Sequence, residues 1–205
     1  MDLATPFQSM FPIVDSAVLT VLAESTKPRT GREVARLASR SQDATQRVLD
    51  RLTDHGIVLA QEAGRARLYT LNREHLAAEP IMELADLRGL LFQRLRWLLE
   101  IWPIPPLHMS VFGSAARGDG GLDSDVDIFL VRPAEVEETD EKWRSQVGAI
   151  GKTVFDWTGN YAGIAEVSEE ELGHLRRDQP AIVKSLRADA VDIIGVPVQK
   201  LLKGA

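Results

Sequence analysis

A chain of 205 residues, 44% hydrophobic and 26% charged, has enough apolar side chains for one large folded domain or two small ones. It has no cysteine, which excludes disulfides, thiol catalysis and zinc–thiolate sites; no run approaches ~20 uncharged apolar residues, which excludes a spanning helix; and the acidic start at Asp2 does not read as a signal peptide, so the expected location is the cytoplasm. The net charge of −6 belongs to residues 80–205, with 14 Lys/Arg against 20 Asp/Glu, whereas residues 1–79 carry ten of each, so broad non-specific RNA contact by the acidic part is not expected.

Residues 1–11 read as a loosely tied lead. From Ile13 to Ala23, apolar Ile13, Val14, Ala17, Val18, Val21 and Leu22 recur at three- and four-residue spacing, which predicts an amphipathic helix. Thr30 with Glu33 forms a capping box for a short helix over Gly31–Ala38. A third helix is expected from about Gln42 to Asp54, with Ala44, Val48, Leu49 and Leu52 inward and Gly56 as its stop. Two strands around a tight turn follow, to Leu71.

Three helices and a hairpin resemble a winged helix-turn-helix, the fold of many small bacterial transcription regulators. The resemblance implies DNA contacts from Gln46, Arg47 and Arg51 on the third helix and from Arg65 and Arg67 at the wing. Such modules also serve in protein docking, and Asp43 and Asp50 on the third helix repel phosphate.

A long helix is expected over Ile81–Trp102, with Pro80 at its start. Leu84, Leu87, Leu91, Leu95, Leu98 and Trp102 form one stripe, and Leu90, Trp97 and Ile101 widen it toward a second face. That breadth predicts burial on two sides, against a neighbouring domain or a second copy of the chain in a homodimer. Arg88, Arg94 and Arg96 read as its solvated edge. The expected organisation is therefore α+β: a winged helix over 1–79, a connecting helix over 80–102 and a third region over 103–205.

The chemistry concentrates in that third region. Met109–Phe112 is a short apolar run broken by Gly113-Ser114. A Gly-rich loop leads to Ser124-Asp125-Val126-Asp127, and Ile128–Val131 continues as a buried strand. With a side-chain period of two, Asp125 and Asp127 share one face. Two carboxylates so close repel each other, and a divalent cation between them relieves that repulsion. The Gly113-Ser114 turn offers backbone N–H groups and a hydroxyl to a phosphate chain.

Gly113-Ser114, then Ala116-Arg117-Gly118, then Ser124-Asp125-x-Asp127 and an apolar strand resemble the signature of the minimal nucleotidyltransferases, in the polymerase-β-like superfamily. The resemblance covers roughly residues 103–200. It implies a small mixed sheet flanked by helices and transfer of a nucleoside monophosphate (NMP) from a nucleoside triphosphate (NTP), with two Mg²⁺ ions, or Mn²⁺. Asp125 and Asp127 would be catalytic metal ligands. Gly113 and Ser114 would hold phosphates, Arg117 would contact phosphate or brace the acidic loop, and Ser124 would contact nucleotide or cap the turn. The family's third carboxylate comes from a following strand, for which Glu166 is the first choice and Asp156 the rival.

Two functions follow as expectations. One is a nucleotidyltransferase acting on a protein or RNA acceptor, coupled to a DNA-binding winged helix in a toxin–antitoxin or regulatory system. The other is a winged-helix regulator whose transferase domain is catalytically weak and senses nucleotide.

Overall fold

Leu3 and Phe7, in the stretch expected to be a loose lead, are only 1% and 3% exposed. Pro6–Ser9 forms a 3-10 turn that presses Phe7 against the first helix, α1 (Ile13–Glu24). The computed structural model describes residues 1–178 and 180–203. It divides into two units: Thr5–Leu87, and Met1–Ala4 with Arg88–Ala205.

In the first unit, α1 is followed by a two-residue strand, β1 (Arg29–Thr30), and by α2 (Gly31–Leu37), which starts with the Thr30–Glu33 capping box. Helix α3 (Gln42–Asp54) is capped by the Ser41 hydroxyl. The hairpin β2 (Val58–Ala63) and β3 (Ala66–Leu71) turns at Gly64-Arg65 and joins β1 in an antiparallel sheet of order β1-β3-β2. Helix α4 (Ala78–Ala85) completes the unit. Val18, Leu22, Val34, Leu49, Leu52, Val58, Tyr69 and Ile81 are its core. This is a winged helix-turn-helix, with β1 added to the predicted elements.

The helix expected over Ile81–Trp102 is two helices. Asp86, at φ −109° and ψ 35°, ends α4, and α5 (Leu87–Glu100) starts at the next residue. The break follows from packing. Ile81, Met82 and Leu84 belong to the first unit's core, whereas Leu91, Leu95 and Leu99 belong to the second's. Leu99 rather than Leu98 is the buried partner four residues beyond Leu95. Arg94 and Arg96 are exposed and Arg88 is half-buried; Arg88 and Arg96 donate to the carbonyls of Ala116 and Ile193, and Arg94 lies over the Trp157 ring.

The second unit is built on β4 (His108–Phe112), β5 (Val126–Arg132), β6 (Ala162–Ser168) and β7 (Val191–Gly195). Their order is β6-β5-β4-β7; β4 is antiparallel to β5 and β7, and β5 and β6 are parallel. Strand alternation divides the two faces. Val126, Ile128 and Leu130 meet Leu91 and Leu95 of α5 and Trp143, Ile150 and Val154 of α7 (Glu141–Thr158) on one side. Phe129 and Val131 meet α8 (Glu171–Asp178), α9 (Ala181–Asp189) and α10 (Val198–Leu201) on the other. Between β4 and β5 lies the five-residue helix α6 (Gly113–Arg117).

Candidate active site

Antiparallel pairing puts Phe112 opposite Asp127, so the turn after β4 meets the mouth of β5. Gly113 there has φ +69°, a left-handed conformation that glycine adopts without strain. A Cβ on Gly113 would come closer than 3.0 Å to Asp127 Oδ2. On the neighbouring strand, Gly163 is the register partner of Asp127, and a Cβ there would lie 3.2 Å from Oδ1. The Asp127 carboxylate therefore stands between two residues that have no side chain. Gly120 is similarly close-packed: its Cβ would meet the Ser114 hydroxyl at 3.0 Å.

Asp127 is half-buried and Asp125 is exposed. Burial pushes the Asp127 carboxyl above the usual carboxylate range, and the charges of Asp125 and Asp189 add to the effect while Arg117 opposes it. Asp125 has no hydrogen-bond or ion-pair partner among the described residues. Two neighbouring oxygen donors, with space held open by glycine on both sides of Asp127, fit a hard divalent cation such as Mg²⁺ or Mn²⁺. Among the described residues no cluster of three or more His, Cys, Asp or Glu side chains placed to hold a metal ion is present.

The other expected nucleotide residues divide. Ser114 is half-buried, and its hydroxyl has no partner among the described residues, which leaves it free for a ligand. Ser124 caps the acidic loop, its hydroxyl accepting from Gly121 N–H at 2.9 Å. Arg117 donates to Asp119 at 2.9 Å and to Asp189 at 2.6 Å. Those two hydrogen bonds hold its guanidinium charge more firmly, and the Arg117 bond lowers the Asp119 pKa in turn. Asp189, Asp119 and Gly163 were not singled out from the sequence. Asp189 lies 76 residues from Gly113, and no local pattern marks it.

Glu166 is not brought to the carboxylate pair. In register it lies opposite Leu130, three residues along the sheet from Gly163 and Asp127, and it faces the α7 side with Ala162 and Ile164. Its Oε1 accepts from Arg132 Nε at 2.9 Å and from the Trp143 indole at 2.8 Å. Three residues are about 10 Å of strand and one change of face. In this structure Glu166 pairs a buried arginine and stands apart from Asp125 and Asp127. The rival, Asp156, is exposed on α7 and pairs with Lys152 one turn before it.

In the first unit, the expected DNA contacts also divide. Gln46 donates to Asp50 at 2.8 Å and to the Tyr69 hydroxyl at 2.9 Å. Arg51 pairs with Asp15 on α1, and Arg67 lies 3.5 Å from Asp50 and 3.8 Å from Glu62. Arg47 and Arg65 are exposed with no partner among the described residues. Arg32, Gln42, Gln46, Arg65 and Arg67 line a cleft of about 380 Å³ between α3 and the wing, and Arg32 is a cation the sequence reading passed over.

Comparison with known proteins gives a family. The nucleotidyltransferase domain matches residues 95–202, more than half of the chain. No curated protein matches. Three solved structures are similar to parts of the chain. A predicted DNA-binding transcriptional regulator from E. coli is 26% identical over 37% of this chain and 74% of its own, with a TM-score of 0.30. The MarR family transcriptional regulator SPO1453 from Silicibacter pomeroyi DSS-3 is 18% identical over 45% and 65%, with a TM-score of 0.35. The zinc-dependent MarR family transcriptional regulator AdcR, in its Zn(II)-bound state, is 21% identical over 45% and 64%, with a TM-score of 0.31.

Proposed function

Since the chain belongs to the family of nucleotidyltransferase-domain proteins, we propose that its second unit transfers an NMP from an NTP to a protein or RNA acceptor. One observation supports this above the others: Asp127 sits beside Asp125 and against the Gly113-Ser114 turn, in a space kept clear by Gly113 and Gly163. Asp125 and Asp127 would hold Mg²⁺, and Ser114 would donate to the phosphates. When bound, the cation neutralises phosphate charge and lowers the pKa of the attacking hydroxyl. The chain's own residues hold the cation in place, orient the phosphates through the turn and keep the carboxylates close. The test is incubation with each α-labelled NTP and Mg²⁺, followed by a search for label on protein, RNA and small molecules. Absence of label on any of them, with wild type and Asp127→Asn alike, refutes transfer.

A second reading has its own support. Gly163 stands opposite Asp127 where a third carboxylate would come from β6, and Glu166 is occupied by Arg132 and Trp143. A site with two carboxylates that binds nucleotide and turns over weakly suits a winged-helix regulator that senses nucleotide. Nucleotide affinity without label transfer selects this reading.

For the first unit we place duplex DNA at α3 and the wing, through Arg47 and Arg65, with Arg32 beside them in the cleft. Trp97 on α5 and Ile101 just past its end, 53% and 78% exposed, are the surface through which we place a homodimer. No helix among the described residues is long and apolar enough to cross a membrane. We place the protein in the cytoplasm, with its NTP, in a toxin–antitoxin or regulatory system. Sedimentation and gel-shift against the protein's own upstream DNA test both parts; a monomer without a salt-dependent shift leaves the first unit as a protein-docking module.

A further inference from the structure

A helix of five residues is too short to hold itself together, because nucleation costs more than one turn returns. Helix α6 therefore takes its orientation from the groups that grip it. Asp189, the last residue of α9, grips it at both ends. One carboxylate oxygen accepts from Gly113 N–H at 3.1 Å, and the other accepts from the Arg117 guanidinium at 2.6 Å. Gly113 is the first residue of α6 and Arg117 the last. The Asp189 side chain is 9% exposed and its bond to Gly113 N–H is half-buried, whereas the Arg117 side chain is 47% exposed and that end of the grip is open to water. Arg88 adds a third tie, to the carbonyl of Ala116. Between the two ends the Ser114 hydroxyl remains free.

The carboxylate also lies near enough to Asp127 for its charge to be felt there. That proximity permits two opposite roles. A carboxylate on the Gly113 N–H can support the turn, or it can occupy the place of a phosphate and compete with it. Both Asp189 oxygens serve α6 itself, one at each end, and neither reaches the Ser114 hydroxyl. The geometry favours support.

We propose that Asp189 is a positioning residue of the nucleotide site: it staples α6 to the end of α9 so that Ser114 faces the triphosphate beside Asp127. Asp189 itself touches neither nucleotide nor cation. This rests on the reading that the Gly113-Ser114 turn takes NTP phosphates.

The test uses the full chain as wild type, Asp189→Ala and Asp189→Asn. Mn²⁺ alone is titrated by electron paramagnetic resonance. Each of the four α,β-methylene nucleoside triphosphates is then titrated in saturating Mn²⁺. The expected result is a split. Mn²⁺ affinity stays within about twofold in all three proteins, since Asp189 is not a ligand. Nucleotide affinity falls about 10- to 100-fold in Asp189→Ala, the size of a lost charged hydrogen bond. The Asn variant keeps one acceptor for Gly113 N–H and recovers part of the loss. Hydrogen exchange at the Gly113 amide rises in Asp189→Ala and less in Asp189→Asn. A purely structural role would lower Mn²⁺ and nucleotide affinity together, which overturns the proposal. Tighter nucleotide binding by Asp189→Ala makes Asp189 a competitor of phosphate and also overturns it. Wild type that binds none of the four nucleotides overturns this proposal and the transferase reading together. Wild type that binds one while Asp189→Ala binds it equally overturns this proposal alone.

Discussion

Gly113→Ala probes the packing that defines the site. The backbone at Gly113 has φ +69°, and an L-residue held in the left-handed region costs about 1–2 kcal/mol. The new methyl would also press on Asp127, closer than 3.0 Å to Oδ2, 3.4 Å from Cγ and 3.6 Å from Cβ. Asp127 has little room to withdraw, because Gly163 lies beyond its other oxygen. Forcing that side chain off its rotamer adds about 0.5–1.5 kcal/mol. Stiffening of the unfolded chain offsets about 0.4–1 kcal/mol of this. The net expectation is a loss of about 0.5–3 kcal/mol, the balance of the three preceding terms. Gly121→Ala is the control, since a Cβ there meets nothing within 4 Å and its φ is not positive; its change should stay within about 0.5 kcal/mol or be slightly stabilising. The assay is urea unfolding followed by tryptophan fluorescence. All four tryptophans, Trp97, Trp102, Trp143 and Trp157, belong to the second unit, so the signal reports on that unit alone. Equal midpoints for Gly113→Ala and Gly121→Ala would refute the claim that the turn is packed against Asp127.

Further outcomes follow from the same contacts. Asp125→Asn and Asp127→Asn should each abolish divalent-cation-dependent nucleotide binding, and equal calorimetric affinities for wild type and both variants would remove the site. Because the folded Asp127 carboxyl titrates above its ordinary value, its ionisation opposes folding. Stability is lost as pH rises from the unfolded value through the folded one, so Asp127→Asn should be more stable than wild type at neutral pH, with the difference vanishing at acid pH; urea midpoints at both pH values check this. Glu166→Ala leaves the Arg132 guanidinium and the Trp143 indole without their acceptor, at a cost of about 2–4 kcal/mol, while nucleotide affinity stays unchanged; a stable variant that binds but no longer transfers would restore Glu166 to catalysis. Arg47→Ala and Arg65→Ala should each weaken DNA binding about equally across sequences and lower the salt slope by roughly one, measured by fluorescence anisotropy at several salt concentrations.

Much of this was already written in local spacing. The Thr30–Glu33 box, the third helix with its stop at Gly56 and the hairpin that follows needed only neighbours along the chain, and the winged helix follows from them. The pairing of Gly113-Ser114 with Asp125 and Asp127 was legible for the same reason: strand alternation places both carboxylates at the mouth of β5, and a short return from β4 brings the turn beside them. The tertiary structure decided what depends on register and on distant partners. Whether Glu166 meets the carboxylate pair turns on which residue of β6 aligns with Asp127, and that residue is Gly163. The helix over 81–102 breaks at Asp86 because its two ends are claimed by different cores, which periodicity within one segment does not encode. Arg51 and Arg67 look like free cations in sequence and are paired in space, with Asp15 and Asp50. Asp189 reaches Gly113 across 76 residues, so its hold on α6 exists only once the sheet has formed. Alternation and capping act between neighbours in sequence, whereas ligand sets and ion pairs are settled by which faces and register positions folding brings together.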